Sequence, residues 1–283
     1  MAIRIIVDSS ADMEEGYARA HDITIIPMTI AFGSEQYAEG VDLSREEFFE
    51  RLVETDELPR TSQIPPMVFQ DLFQEAVDAG DEVVCITLSS HISGTYQSAC
   101  IAAADYEDIY VVDSRSAAIG SGILAELALE WAADGMTAAE LARLLTKKRD
   151  DICLLGLLDT LEYLRRGGRI SRTAALAGGL LGIKPVVTLE NGAVTMIGKA
   201  RGSKQGNNLL VQKVRESGGI DFSLPILLGY TGLSDALLQK YVADSAALWR
   251  DHCGSLEQTL LCSVIGTHTG PGVVAVAFFK NGV

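Results

Sequence analysis

The sequence predicts an α/β protein of two domains, with a mainly parallel sheet in residues 1–150 and a mixed sheet in residues 151–283. In the first part, short β-branched runs alternate with helical segments, which is typical of a parallel sheet covered on both faces. In the second part, an Asn-Gly pair between two extended runs predicts a β-hairpin, which adds antiparallel pairing. The charged run at 147–151 lies between the two parts and indicates a solvated connection.

The first part carries clear signals for where its helices begin. Strands are expected at 3–7, 23–32, 82–88 and 109–112, and helices at 44–54, 67–79, 93–104, 117–133 and 137–149. Ser44 and Glu47 have the spacing of a capping box. Pro65 and Pro66 stand where the first turn of a helix tolerates proline. Asp8 ends the first strand and predicts a turn or helix cap.

The second part has shorter and more varied elements. Strands are expected at 152–158, 184–189, 193–197, 226–230, 259–265 and 272–279, with helices at 160–166 and from Ser234 onward. Asn191 and Gly192 fit the two central positions of a type I′ turn. Residues 178–182 are small and predict a loose segment.

Composition excludes several functional classes. A chain of 283 residues can bury roughly 75% of its unfolded surface, which leaves room for a core and a cavity. The net charge of −15 argues against binding nucleic acid or anionic membranes, because both need an excess of Lys and Arg. Five cysteines without a C-x-x-C pair are typical of reduced thiols in a cytoplasmic protein. The apolar runs are too short to cross a membrane and the start does not resemble a signal peptide, so a cytoplasmic location without stable membrane insertion is expected.

Residues 89–95 combine four hydroxyl side chains and one glycine between a predicted strand and a predicted helix. Hydroxyls and unpaired amides at a helix N-terminus form a natural anion site, here around Ser93, Gly94 and Thr95. One serine would be explained as a helix cap. Four hydroxyl residues exceed that need and favour ligand binding.

Residues 60–66 form a second candidate segment. The two prolines stiffen a predicted loop that presents Thr61 and Ser62 ahead of a helix. Capping alone would account for either hydroxyl, so these residues leave structure and function equally open.

Residues 265–272 place His268 between two threonines and beside several glycines. The interpretation is a strand that leads into a glycine turn, with Thr267 and Gly270 as supporting residues. Glycines allow a ligand to approach the backbone, and strand ends are where α/β sheets bind ligands. A lone histidine is usually structural or exposed, but this location favours a ligand residue.

Two basic segments stand out in an acidic chain. Arg165, Arg166 and Arg169 lie within five positions, and Arg201 lies in the basic stretch 199–204. Cations suit helix C-termini, so a structural role is available. The alternative is contact with a phosphate or a protein partner, for which arginine forks are well suited.

The motifs that would indicate other chemistry are missing from the sequence. It has no phosphate-binding P-loop, no nucleophile elbow and no metal-ligand spacing. Neither a metal nor a cofactor is therefore expected.

Together these motifs resemble the DegV family of bacterial fatty-acid-binding proteins, the carrier subunits of fatty acid kinase. The resemblance runs over essentially the whole chain. It rests on residues 7–12, 61–63, 93–99, 112–114, 163–170, 184–185 and 266–272.

The resemblance implies a two-domain DegV-like fold with one long-chain fatty acid between the domains. The fatty carboxylate would meet Thr61, Ser93, Gly94 and His268. A partner kinase would supply ATP and phosphorylate that carboxylate, so the chain itself would not be an enzyme. The arginine segments would face this partner or its nucleotide rather than the lipid.

Two alternatives remain open on the residues alone. One is an enzyme, either a hydrolase with Ser93 as nucleophile and His268 as base or a phosphoryl carrier that uses His268. A hydrolase needs a third group that orients the histidine, and no Asp or Glu lies within six residues of His268, which leaves Asp8 and Asp113 as spatial candidates. The other is a regulator that senses lipid.

Overall fold

A computed structural model describes residues 2–55, 57–170 and 182–282. The strands are β1 (Ile3–Asp8), β2 (Ile23–Ile26), β3 (Thr29–Phe32), β4 (Glu35–Ala38), β5 (Arg60–Ser62), β6 (Glu82–Thr87), β7 (Ile109–Asp113), β8 (Ile152–Leu157), β9 (Ile183–Glu190), β10 (Ala193–Arg201), β11 (Leu227–Tyr230), β12 (Glu257–Leu260) and β13 (Val274–Phe279). The α-helices are α1 (Glu15–Ala20), α2 (Arg45–Glu54), α3 (Pro66–Asp78), α4 (Thr95–Ala103), α5 (Ile119–Ala133), α6 (Ala138–Lys148), α7 (Glu162–Arg166), α8 (Gly202–Glu216), α9 (Ala236–Asp244), α10 (Ala246–Trp249) and α11 (Ser263–Thr269). Short 3₁₀ turns lie at Ser9–Ala11 and Arg149–Asp151. The predicted loose segment at 178–182 falls outside the described residues except at its last position.

The first part of the chain builds a parallel sheet, as predicted. Its order is β2-β1-β6-β7, and every pairing in it is parallel. The central strands are buried β-branched runs, since helices cover both faces of the sheet. The predicted capping box is present, with Ser44 and Glu47 bonded to each other's backbone amides.

A small antiparallel sheet of order β4-β3-β5 contradicts two sequence interpretations. Residues 23–32 are not one extended stretch, because Pro27 has no amide hydrogen and the chain leaves one sheet before it enters the next. Residues 60–62 are a strand rather than a loop, with Thr61 paired to Ile30. Three residues are too few for an alternating pattern to reveal a strand.

The second part forms a six-stranded mixed sheet of order β10-β9-β8-β13-β11-β12. Only the β11–β12 pair is parallel among its pairings in the described residues. The predicted hairpin joins β9 and β10, and Asn191 and Gly192 both have positive φ, at 51° and 84°. Both values fit a type I′ turn.

Helix α5 packs between the two larger sheets. It contacts β1 of the parallel sheet as well as β8, β11 and β13 of the mixed sheet. One hydrophobic core therefore contains Val7 of the first sheet, Ile123 of the helix and Ala277 of the second sheet. The division into domains near residue 150 stays a prediction, since this helix joins the two sheets.

The segment before His268 is a helix, and the predicted strand at 259–265 is wrong beyond Leu260. Strand β12 ends at Leu260, and α11 begins at Ser263. Short apolar runs cannot be assigned to strand or buried helix by periodicity alone. The contacts that hold the start of this helix come from residues distant in sequence. Asp12 accepts from the Cys262 amide at 2.5 Å, and Glu39 accepts from the Ser263 amide at 3.4 Å.

Within the described ranges, no helix combines the length and apolarity that crossing a membrane requires.

Candidate functional site

An apolar cavity of about 290 Å³ lies between segments of the first and second parts of the chain. Its walls are mainly aliphatic, with Leu88, Leu154, Val187, Leu189, Val264 and Ile265 among them. At roughly 15 Å³ for each water, such a space exceeds one water molecule by more than tenfold. The cavity is therefore a ligand-sized space with a hydrophobic interior.

The residues of the cavity that the sequence predicts to bind or support an anion come from three separate segments. Thr61 and Ser62 belong to β5, Ser93 and Gly94 precede α4, and His268 lies in the last turn of α11. The Thr61 hydroxyl lies 2.8 Å from His268 Nε2. The structure thus brings the four residues predicted to bind an anion to one cavity, while their binding role stays a prediction.

The cavity is open to solvent beside Thr61. Ser62 and Gln63 line it and are both exposed. Gln63 also donates from Nε2 to Ser98 Oγ at 3.1 Å. A Cβ added at Gly94 would lie 2.0 Å from Gln63 Oε1, so glycine allows this close packing.

Ser93 acts partly as a cap of helix α4, which is the structural explanation that the sequence offers for a serine at this position. Its hydroxyl accepts from the Thr95 amide at 3.2 Å and lies 2.9 Å from the Thr95 hydroxyl. Thr95 is fully buried and lies behind Ser93, where its hydroxyl is a distant acceptor for the Ile64 amide at 3.4 Å. Ser93 lines the cavity, whereas Thr95 supports the turn.

His268 is held in its neutral form. Burial, together with the nearby Arg169 guanidinium, lowers its pKa to about 4. Nδ1 is buried and has no hydrogen-bond partner among the described residues. A Cβ at Gly167 would lie 2.3 Å from this atom, so glycine is required beside the ring.

Arg169 lies in the cavity wall rather than on an open surface. It is partly buried and donates from Nε to Ile92 O at 3.2 Å and from Nη1 to Gly167 O at 2.6 Å. Among the described lining residues, it carries the only formal charge at neutral pH. An anion in this cavity would therefore meet a cation and no carboxylate from the described residues.

The structure separates Arg169 from the other predicted partner arginines. Arg165 and Arg166 are exposed on α7 and both pair with Glu162 at 2.5 Å. Arg201 is exposed at the end of β10. Their helix-end and surface positions fit the structural interpretation, and contact with a partner stays a prediction.

Besides Thr95, two further predicted supporting residues do not line the cavity. The Thr267 hydroxyl donates to Ser263 O within α11 at 2.9 Å. Gly270 has φ 73°, and a Cβ there would lie 2.3 Å from the Tyr163 ring. Both residues therefore shape the end of α11, beside His268.

The geometry lacks the arrangement that a serine hydrolase needs. The hydroxyl bonded to His268 is that of Thr61, not Ser93. Asp8 binds Ser10 and the Leu88 amide, and no described carboxylate reaches the free ring nitrogen. A triad requires such an orienting group. A phosphoryl carrier would need a reachable ring nitrogen, and here one is bonded while the other is buried.

Asp113 is likewise engaged elsewhere, since it accepts from the Ser90 amide and hydroxyl at 3.2 and 2.6 Å. In the part of the chain that the structure describes, no group of three potential metal ligands is found.

Gln63 and Arg169 line the cavity, although neither is predicted from the sequence to do so. Gln63 follows Thr61 by two positions, and that proximity was an available signal. Arg169 had no such signal, because Arg165 and Arg166, which precede it, are exposed and only the fold turns Arg169 inward.

Comparisons with known proteins identify related chains that align with this one over nearly their full length. A family model described as "Uncharacterised protein, DegV family" matches residues 2–281. A DegV domain-containing protein of Caldanaerobacter subterraneus is 34% identical over 284 residues, covering 98% of each chain. A DegV family protein of Thermus thermophilus, described as fatty acid binding, has a TM-score of 0.88 at 27% identity and covers 99% of this chain and 100% of its own. A stearic acid-binding protein of Eubacterium ventriosum has the same TM-score and identity, with coverage of 99% and 98%.

Proposed function

The chain belongs to the DegV family, and we propose that its cavity holds one long-chain fatty acid with the carboxylate at Thr61 and His268. The observation that carries this proposal is the aliphatic cavity that ends at a bonded hydroxyl–imidazole pair. The related proteins of Thermus thermophilus and Eubacterium ventriosum are described as fatty-acid-binding, which supports the same ligand class.

The acyl tail supplies most of the binding free energy. About fifteen methylenes at ~0.8 kcal/mol each give on the order of 12 kcal/mol of gross transfer energy. Association and ordering costs reduce this value substantially, and the remainder still permits tight retention. The walls around Leu154 and Val187 are suited to such a tail because they are aliphatic and the one hydroxyl described beside them, that of Thr188, donates to Leu154 O at 2.8 Å.

The carboxylate requires donors, and the tautomer of His268 determines which are available. A neutral ring with hydrogen on Nε2 donates to Thr61 Oγ1, which leaves the Thr61 hydrogen free for the ligand. The unpartnered Nδ1 is then a buried acceptor rather than a buried donor. Ser93 can supply a second hydroxyl, and Arg169 supplies the compensating charge.

The chain acts in this proposal as a carrier without catalysis of its own. The carboxylate lies near exposed Ser62 and Gln63, where a partner fatty acid kinase could reach it. Arg165, Arg166 and Arg201 are exposed positions for contact with that kinase. The five free cysteines fit a cytoplasmic location.

Native mass spectrometry tests the binding proposal. The protein is purified from cells without detergent, and its mass is compared before and after solvent extraction. We expect one fatty acid per chain in the wild type and strong loss of occupancy in Thr61→Val. Thr195→Val is the matched control, since Thr195 is another partly buried strand threonine outside the cavity lining. An empty protein that cannot be reloaded with hexadecanoate, or one that turns over esters, would contradict the proposal.

A further inference from the structure

A second cleft lies on the outer side of the Thr61–His268 pair. It has a volume of about 540 Å³ and is formed by the chain leading into β5, by α7 and by the end of α11. Thr61, Arg169 and His268 line both this cleft and the apolar cavity. These three side chains are therefore the wall between the two spaces.

The cleft is cationic in a strongly acidic chain. Arg60, Arg166 and Arg169 line it, and Glu57 is the only carboxylate among its described lining residues. Glu162 offsets part of the charge on Arg166, but its Oε1 accepts from both Arg166 and Arg165, and its Oε2 accepts from Arg165. At short range, the attraction of an anion to this local cluster of guanidinium groups exceeds its repulsion by the net negative charge of the whole chain.

A fatty carboxylate alone does not explain three arginines. It carries one negative charge, which Arg169 and the hydroxyls of the cavity can meet. A phosphate group carries about −1.5 to −2 charges and three acceptor oxygens, and it suits several guanidinium forks.

We infer that this outer cleft is a subsite for the phosphoryl group of an acyl phosphate, with Arg60 and Arg166 as its outer contacts. This inference rests on the proposed function. An oxygen of the bound carboxylate attacks the terminal phosphorus of a nucleoside triphosphate carried by the kinase. The new O–P bond replaces the bond to the departing nucleoside diphosphate, and nothing is oxidised or reduced. The transferred group then lies in the space that adjoins the carboxylate, while the tail stays in the cavity.

Two stable probes separate the subsite from the fatty acid site. Hexadecanoate occupies the cavity alone, whereas hexadecyl phosphate has a methylene in place of the acyl carbonyl and retains the phosphoryl group. Affinities are measured by displacement of a fluorescent fatty acid from delipidated protein. We expect Arg60→Gln and Arg166→Gln each to weaken hexadecyl phosphate about tenfold and to leave hexadecanoate within about twofold.

Arg143→Gln is the matched control, because it removes the same charge from an exposed helical arginine outside the cleft. Thermal melts verify that all three variants fold. Equal losses in Arg143→Gln, or unchanged hexadecyl phosphate affinity in both cleft variants, would overturn the subsite while hexadecanoate binding stands. Failure of the wild type to bind hexadecanoate would overturn the proposed function, and the inference with it.

Discussion

Thr61 Oγ1 and His268 Nε2 lie 2.8 Å apart, although 207 positions separate the two residues in the chain. The contact joins an edge strand of the small sheet to the last turn of α11. It depends on how α11 is held at its other end, where Asp12 accepts from the Cys262 amide. Residues that never contact a ligand therefore determine whether hydroxyl and imidazole meet.

Ser93→Ala should weaken fatty acid binding by roughly 1.5–3 kcal/mol, the range for a hydrogen bond to a charged group. It should also cost some stability, because the Ser93 hydroxyl accepts from the Thr95 amide. Ser234→Ala is the matched control, since Ser234 accepts from the amide two residues on at the same 3.2 Å and lies outside the cavity lining. Isothermal titration with hexadecanoate and thermal melts separate the two effects. Equal affinities in wild type and Ser93→Ala would remove Ser93 from the site.

His268 should titrate differently in the empty and loaded protein. Burial and Arg169 lower its pKa to about 4 in the empty cavity. A carboxylate beside the ring favours the charged imidazolium, so loading should raise this pKa. Nuclear magnetic resonance of the ring protons follows both states, with the His252 ring, stacked on Phe222, as an internal reference that loading should not affect. An identical His268 titration with and without ligand would place the carboxylate elsewhere.

The same pKa shift affects stability. The unfolded chain has an ordinary histidine pKa near 6.5, so between about pH 6.5 and 4 it binds a proton that folded His268 does not. Stability should therefore fall as the pH falls through this window. His268→Gln cannot titrate, so its free energy of unfolding, measured by chemical denaturation, should fall less than that of the wild type over the same pH range.

Asp12 should have the opposite effect on the pH dependence. Burial raises its pKa to about 7, against the lowering influence of Arg45. Between about pH 4 and 7 the unfolded chain has released this proton and the folded chain retains it, so stability should fall as the pH rises. Asp12→Asn should remove this contribution, so that the free energy of unfolding, measured by chemical denaturation from pH 5 to 7.5, falls less as the pH rises.

Glu126→Gln is a useful comparison, because burial also raises the pKa of Glu126 to about 7 and this residue makes no contact with the start of α11 in the described hydrogen bonds. Both variants should make the free energy of unfolding less dependent on pH. Only Asp12→Asn should in addition change fatty acid affinity, through the position of His268. A pH profile unchanged from wild type in Asp12→Asn would contradict the assigned titration.

Local chemistry predicted much of the fold and some of the site. The Ser44–Glu47 capping box and the Asn191–Gly192 turn lie within a few residues, so sequence alone locates them. The hydroxyl segments around Thr61 and Ser93 were also recognisable. Helix α11 was not, because the groups that satisfy its first amides are Asp12 and Glu39, more than two hundred positions away. The inward turn of Arg169 likewise depends on acceptors that only the folded chain provides.

The three arginines of residues 165–169 should divide into two functional groups. Arg169 lines the cavity and is bonded to Ile92 O and Gly167 O, whereas Arg165 and Arg166 are exposed and share Glu162. Arg169→Leu should therefore lower hexadecanoate affinity, because the carboxylate loses its compensating charge in a poorly solvated site.

Arg165→Ala with Arg166→Ala should leave hexadecanoate bound and stability nearly unchanged, because exposed ion pairs contribute little. If these two residues face the kinase, acyl-phosphate formation at limiting carrier should drop in the double variant. If they only complete the helix end, the rate of acyl-phosphate formation should equal that of the wild type.

Equal hexadecanoate affinity in Arg169→Leu and wild type would show that the position of Arg169 in the wall has no electrostatic role in lipid binding. The carboxylate charge would then have to be met by the hydroxyls of Thr61 and Ser93 and by solvent entering beside exposed Gln63.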